Sequence, residues 1–368
     1  MDSHMPAIDI VHSQPTVSVI VPARNEEACL GACLRSLVSQ SGVRFEIVVV
    51  DDHSTDRTRE VASSFIGKQV RVIDAPPLPA GWTGKNNAVS AGARAARAEW
   101  LLFTDADTVH LPGSLARSLE EARREGAALL SYSPKQIVRG FWERSIMPVI
   151  FADLAATYRP AQVNDPRVPA AAANGQYILI TREAYDAVGG HAAISTCLLE
   201  DVALARAVKG SGRKIFFRYG ADAVHTRMYR SFAQLREGWT KNLALLFPST
   251  VRLATLRAIE FVLILASAAI SLTSAAHQHW SSATLAGILA VSLYTFFLQR
   301  IRRADFSWDA NVVAVFGLPL FSYLLLRSTK FHKRGSVSWK GREYRGEIYA
   351  KEPDNSLSRE RRHAATEN

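Results

Sequence analysis

Cysteine is nearly absent from this chain: Cys29, Cys33 and Cys197 are the only three among 368 residues. Three scattered thiols cannot form a disulfide framework, and no C-x-x-C pair offers zinc spacing. Cys29 and Cys33 lie four apart on a predicted helix and read as small buried residues. The set favours a reducing compartment. No leader is expected from the first residues either. "MDSHMPAIDIVHSQP" has no basic stretch followed by an apolar one, so it does not read as a signal peptide, and residues 1–15 are expected to be disordered. No G-x-G-x-x-G follows the first apolar strand, which weighs against a dinucleotide oxidoreductase, and the Walker A spacing does not occur. There is no internal repeat and no low-complexity tract.

The longest absence is of charge. From Phe261 to Gln299 there is no Asp, Glu, Lys or Arg, and the only polar break is "AHQHWSS". Two helices joined by a tight turn would each approach the ~20 residues that a bilayer core needs. Spans are expected at about 258–276 and 282–299, and a third, short or re-entrant, at 310–326. The turn carries no Lys or Arg, whereas the next loop, "RIRRADFSWD", carries Arg300, Arg302 and Arg303. The positive-inside rule puts that loop and the N-terminal domain in the cytoplasm of a multi-pass protein of the cell (inner) membrane. The tail, residues 331–368, is basic and also reads as cytoplasmic, which three full spans would contradict. A re-entrant or interfacial third segment removes the conflict. Residues 141–160, "FWERSIMPVIFADLAATYRP", read equally well as an interfacial helix or as a core helix.

What is present is 48% hydrophobic and carries a net charge of +10. Such a balance suits nucleic acid, an acidic membrane surface or a phosphate-bearing substrate. The basic residues cluster beside the apolar spans, so lipid headgroups are the simpler partner and nucleic acid is not expected. Residues 16–250 alternate strand and helix signals. "VSVIVPA", "FEIVVVDD", "VRVIDAP" and "EWLLFTDAD" read as strands. "NEEACLGACLRSLVSQ", "STDRTREVASSF" with Asp56 as N-cap, and "GKNNAVSAGARAARA" read as helices between them. "TREAYDAVGG", capped by Thr181, and "LLEDVALARAVKGSG" read as further helices. This pattern predicts a Rossmann-like α/β fold with a mostly parallel sheet. Ligands then bind beyond the carboxyl ends of the strands. The polar clusters Arg24–Glu27, Asp51–Asp56, Asp74 and Asp105–Asp107 fall at those ends.

Two carboxylates closing an apolar strand, as in "LLFTDADTVH", suit an oxygen-loving divalent cation with open positions for phosphate. By itself the spacing is a weak signal. "GWTGKNNA", 81–88, offers glycines, the cation of Lys85 and a helix start, which is phosphate-binding geometry. "LLEDVALA" puts Glu200 and Asp201 in a first helical turn, where acids also simply favour the dipole.

Taken together, "VSVIVPARNEE", "VVVDDHSTDRT", "GKNNAVSAG", "TDAD", "NGQYILI" and "LLEDVALA" resemble, in order and spacing, the family 2 glycosyltransferases of GT-A fold. The resemblance covers about residues 16–245. The uncharged hairpin and "VSWKGREY", 337–344, resemble a membrane-anchored subgroup associated with carotenoid or hopanoid glycosylation. The resemblance implies that Pro22, Glu26, Glu27 and Asp52 hold the uridine of a nucleotide sugar, with Lys85 near the diphosphate. It makes Asp105 and Asp107 a motif for Mn2+ or Mg2+. Asp107 is then the direct ligand, and Asp105 faces the ribose or the metal's water. Asn174 would lie near the donor sugar or acceptor, and Asp201, with Glu200, would supply the general base.

The implied reaction is inverting transfer of one sugar, from a UDP-sugar such as UDP-glucose, to a hydroxyl of a carotenoid, hopanoid or polyprenyl-type lipid. Processive members carry Q-x-x-R-W, whereas "QLREGWTKN" places Arg236 two and Trp239 five after Gln234. That departure argues against a polysaccharide synthase, although Arg236 and Trp239 remain candidates to line the site. A membrane-tethered nucleotide-sugar-binding protein without turnover is the alternative of another class.

Overall fold

Runs of Val, Ile and Phe without polar alternation need apolar cover on both faces. In the computed structural model, which describes residues 14–67, 69–339 and 341–345, they receive it. Strands β1 (Val17–Ala23), β2 (Phe45–Asp51), β3 (Val70–Asp74) and β4 (Trp100–Phe103) pair in parallel, in the order β3-β2-β1-β4. A short β5 (Thr108–His110) follows, then β6 (Leu129–Ser133), β7 (Lys135–Gln136), β8 (Ile178–Thr181), β9 (Ile215–Tyr219) and β10 (Val224–Thr226). β8, β6 and β9 extend the sheet to seven strands, with β8 antiparallel to both neighbours. β5, β10 and β7 form a small side sheet. The architecture is the mostly parallel α/β sheet expected.

Helices α1 (Leu30–Val38), α2 (Thr58–Ser63), α3 (Gly84–Ala95) and α4 (Ser114–Glu125) supply the crossovers. α1 and α4 bury Leu30, Leu34, Leu37, Leu115 and Leu119 on one face. α3 covers the other face with Ala88 and Val89. Beyond α5 (Phe141–Thr157), α6 (Pro160–Val163), α7 (Arg182–Ala187) and α8 (Gly190–Ala193), helix α9 (Glu200–Gly210) adds Leu204 and Val208 to that second face.

Several local boundaries differ from the pattern. α1 starts at Leu30, because Asn25 adopts φ 53° and is tied to the next loop through Ser54 Oγ at 3.1 Å. Asp56 does accept Thr58 N–H at 2.9 Å, but Arg57 occupies the N-cap position. β4 stops at Phe103, since the Thr104 hydroxyl turns to Gln176 O at 2.8 Å. Asp105 and Asp107 therefore lie in a turn rather than on the strand. Thr181 caps α7 as expected, accepting Ala184 N–H at 3.2 Å.

The rest is helical: α10 (Phe232–Leu246), α11 (Thr250–Ala276), α12 (Trp280–Ile301), α13 (Trp308–Val313) and α14 (Gly317–Lys333), followed by a hairpin of β11 (Ser336–Trp339) and β12 (Arg342–Arg345). Three segments, Thr250–Ala276, Trp280–Ala304 and Trp308–Lys333, are long and apolar enough to cross a membrane. They are not alike. The first two are 17% and 11% buried within the protein, the third 56%. α14 packs along α10 and the first turns of α11. Ser322 Oγ donates to Ala254 O at 2.9 Å, and Thr250 and Thr329 hydroxyls meet at 2.7 Å.

The middle of α5, from Ile146 to Ala152, is buried in this third core with Phe321, Leu324 and Trp239, while Phe141 and Trp142 at its start are exposed. Of the two readings of residues 141–160, the core helix describes its middle. Asp153 on α5 accepts from Arg257 Nη2 at 2.7 Å and Arg300 Nη1 at 3.0 Å, and both arginines also bind Glu260. This ionic layer joins α5, α11 and α12 where the uncharged stretch begins. Residues 1–13 and 346–368 lie outside the described residues, and with them most of the expected disordered start and basic tail.

Candidate active site

The polar loops beyond β1, β2 and β4 converge with residues 172–176 and the start of α9 on one cavity of about 610 Å³. The strand ends are tied together. Arg24 Nη1 donates to Asp52 O at 2.7 Å, and Thr55 N–H donates to Asn25 Oδ1 at 2.8 Å. On the opposite wall Asn86 of α3 donates through Nδ2 to Ile194 O and Cys197 O, at 2.9 and 3.1 Å. That buried amide holds the loop leading into Glu200 and Asp201.

Pro22, Glu26, Asp52, Lys85, Asp105, Asp107, Asn174, Glu200, Asp201 and Trp239 all line the cavity. Glu27 and Arg236 do not. Glu27 is exposed and meets Arg57 Nε at 3.3 Å, and Arg236 lies on the exposed side of α10. The sequence departure at Q-x-x-R-W thus has a structural counterpart: Gln234 and Trp239 face the cavity and the arginine between them faces away.

Lys85 is the hub. Its Nζ lies 2.8 Å from Asp105 Oδ1 and 2.7 Å from Glu200 Oε1. Burial works against its charge, but the two carboxylates outweigh burial and hold the ammonium protonated well above the usual lysine range. Burial likewise opposes ionisation of Glu200, yet Lys85 and Lys241 keep its carboxyl below the ordinary value. Asp201 is pushed the other way, up to about 6, by burial and by the Glu200 charge. Its carboxylate accepts Gly175 N–H at 2.9 Å and Val202 N–H at 2.8 Å, so its orientation is fixed. One acid is thereby kept ionised and its neighbour is made more basic.

Among the described residues no three His, Cys, Asp or Glu side chains converge as a ready metal site. The two carboxylates expected to hold a metal, Asp107 and Asp105, do line the cavity, with Asp105 also paired to Lys85. This fits an ion such as Mg2+ or Mn2+, which accepts one or two carboxylates and completes its shell with phosphate and water oxygens.

Residues 18–189 match the model of glycosyl transferase family 2. They are a family 2 glycosyltransferase domain. Across most of its length the enzyme is also similar to 4,4'-diaponeurosporenoate glycosyltransferase of Staphylococcus aureus. It is 29% identical to the protein of strain USA300 over 338 residues, 89% of this chain and 88% of the relative. The strain MRSA252 protein matches at 29% over 339 residues. Among solved structures, the mannosyltransferase PcManGT of Pyrobaculum calidifontis, in complex with GDP-Man and Mn2+, superposes with a TM-score of 0.50. The two share 17% identity over 87% of each chain. That likeness shows the GT-A fold of this glycosyltransferase.

The sequence motifs missed part of the enzyme's cavity wall. Asn242 of α10, and Trp339, Arg342 and Tyr344 of the C-terminal hairpin, line it too, and Lys241, in the same stretch as Trp239, lies beside them. Only the unusual "VSWKGREY" stretch signalled the hairpin residues. Trp239 Nε1 and Asn242 Oδ1 are buried with no hydrogen-bond partner among the described residues.

Proposed function

We propose that this glycosyltransferase moves one sugar from a nucleotide diphosphate sugar, a UDP-sugar on the motif resemblance, to an oxygen nucleophile on a long apolar acceptor at the membrane. The observation that carries the reading is Asp201: a fixed carboxylate of raised basicity that shares one cavity with Lys85, Asp105 and Asp107.

In this scheme Pro22, Glu26 and Asp52 border the nucleoside, and Lys85 and the start of α3 face the diphosphate. Asp107, helped by Asp105, would hold a divalent cation, which when bound offsets the charge developing on the leaving diphosphate. Asp201 takes the proton from an acceptor hydroxyl as that oxygen attacks the anomeric carbon. Glu200, held anionic by Lys85, keeps Asp201 basic. A single displacement inverts the anomeric centre and needs no protein nucleophile.

The acceptor class is supported by the apolar share of the cavity wall. Phe151, Leu154 and Ala155 of α5, Tyr158 at its C-cap and Leu246 of α10 line it, and Phe151, Leu154 and Leu246 also pack on the helical core. The relative named for 4,4'-diaponeurosporenoate, an acid, adds a second reading of the nucleophile. A carboxylate acceptor is already ionised and could meet the half-buried Lys241 side chain, which lines the same cavity.

The hairpin α11–α12 beyond the ionic layer is read as two crossings of the inner membrane. β12 docks on the sheet domain, which favours the same side for the tail, so α14 is read as an interfacial platform rather than a third crossing. Exposed Trp142, Trp308 and Phe316 suit that level.

Purified enzyme in detergent, offered nucleotide sugars, Mg2+ or Mn2+, and apolar acceptors ending in a hydroxyl or a carboxyl, tests the reading directly. Transfer that survives intact in Asp201→Asn with a hydroxyl acceptor would remove Asp201 from the role of base.

A further inference from the structure

The C-terminal hairpin reaches back over the donor end of the cavity, and nothing above gives it a role. Arg342 Nη1 and Nη2 clamp the two carboxylate oxygens of Asp52 at 2.5 and 3.0 Å. The pair joins residues on β12 and just beyond β2, and Asp52 is 4% exposed. The guanidinium also presses on Gly84, the first residue of α3. A Cβ there would fall 1.6 Å from Arg342 Nη1 and 2.9 Å from Asp52 Oδ2, so only glycine admits this arrangement. Tyr344, two residues on and therefore on the same face of β12, is buried against Gly84. Trp339 continues the wall, with Lys241 Nζ 5.1 Å from its ring centroid.

The start of a helix is the positive end of its dipole and favours an anion. A guanidinium at that place is unfavourable unless anions share it. Asp52 supplies one. The geometry leaves room in the cavity for a second, beside Lys85 and the first turn of α3.

We propose that Arg342 is a donor-positioning residue carried on a strap. It orients Asp52 towards the nucleoside and shares its charge with the diphosphate at the start of α3. This rests on the nucleotide-sugar reading above. The strap follows α14 directly, and α14 is bonded to α10 next to Lys241: the His332 imidazole and Lys241 O lie 2.8 Å apart. The donor pocket is thereby completed by a segment anchored on the membrane platform.

The test compares UDP with uridine, and GDP with guanosine, binding to the full-length enzyme by calorimetry, in unaltered protein, Arg342→Ala and Arg342→Lys. A charge-assisted contact to diphosphate is worth about tenfold or more in affinity. Arg342→Ala is expected to weaken the diphosphate by that factor and the nucleoside by far less, with Arg342→Lys recovering part of the loss. KM for the donor should rise more than kcat falls. Equal weakening of diphosphate and nucleoside would make Arg342 a mere wall residue and overturn the proposal, and so would unchanged or tighter diphosphate binding. Failure of the unaltered enzyme to bind either diphosphate would overturn the donor reading itself, a result separable from the others because it precedes any substitution.

Discussion

The sheet domain and the α11–α12 hairpin are both built on apolar runs, and they turn them in opposite directions. β1 and β2 bury Val19, Ile20, Val48 and Val49 completely, between helices on either face. In the hairpin Leu272, Leu285 and Val291 are 73%, 71% and 67% exposed. The first arrangement excludes water in order to hold charged groups at its strand ends. The second presents apolar surface outward, which is favourable where lipid replaces water. An apolar run says only that water is absent; the partners of each side chain say what stands in its place.

If the two regions divide the work in this way, substitutions should separate chemistry from insertion. The largest effect is expected in the sheet domain. Asp201→Asn should lower kcat for a hydroxyl acceptor by about 10²- to 10⁴-fold, with nucleotide binding and membrane association intact. The loss should be much smaller for a carboxylate acceptor, which needs no base, and steady-state rates on the two acceptors check this. Asp107→Ala should cost about 10³-fold, equivalent to several kcal/mol of charge stabilisation, and abolish the response to added Mg2+ or Mn2+.

The pH profile belongs to the same set. Burial and Glu200 raise Asp201 to about 6. The deprotonated base is present above that value, so the rate should fall as pH drops through it. A limb in the ordinary aspartate range instead would disconnect Asp201 from the rate.

In the hairpin, Val291→Arg should oppose insertion by about 3 kcal/mol, seen as protein lost from the membrane fraction, while any enzyme recovered in detergent still binds nucleotide. At the platform, Gly317→Ala should destabilise by about 1–3 kcal/mol, the reverse of the usual small gain, because the new Cβ would fall 2.0 Å from Ser145 O. Thermal unfolding measures it. The smallest effect is expected for Glu27→Gln. Its exposed pair with Arg57 is worth less than about 1 kcal/mol, and the side chain lies outside the cavity, so donor KM should hardly move.

The alternation of strand and helix and the acids at strand ends were legible because hydrophobic periodicity and local chemistry mark them directly. So was the uncharged hairpin, whereas Arg236, a candidate to line the site together with Trp239, turns out to face away from it. What pattern could not supply was long-range pairing. Nothing local announces that Arg342 meets Asp52, 290 residues away. Nor does spacing reveal that Lys85 bridges Asp105 and Glu200, or that Glu27 turns outward while its neighbour Glu26 faces the cavity. The third apolar segment was set apart as short or re-entrant by its length and by the basic tail, but composition is blind to the neighbouring helices that cover it.

The ionic layer of Asp153, Arg257, Glu260 and Arg300 fastens α5, which walls the cavity, to both helices of the hairpin at a single height. With the hairpin inserted, the reacting carboxylate would stand at a constant distance from the hydrocarbon. The enzyme would then act as a ruler: a guest whose far end stays dissolved in lipid could be modified only at the atom that its own length brings up to Asp201.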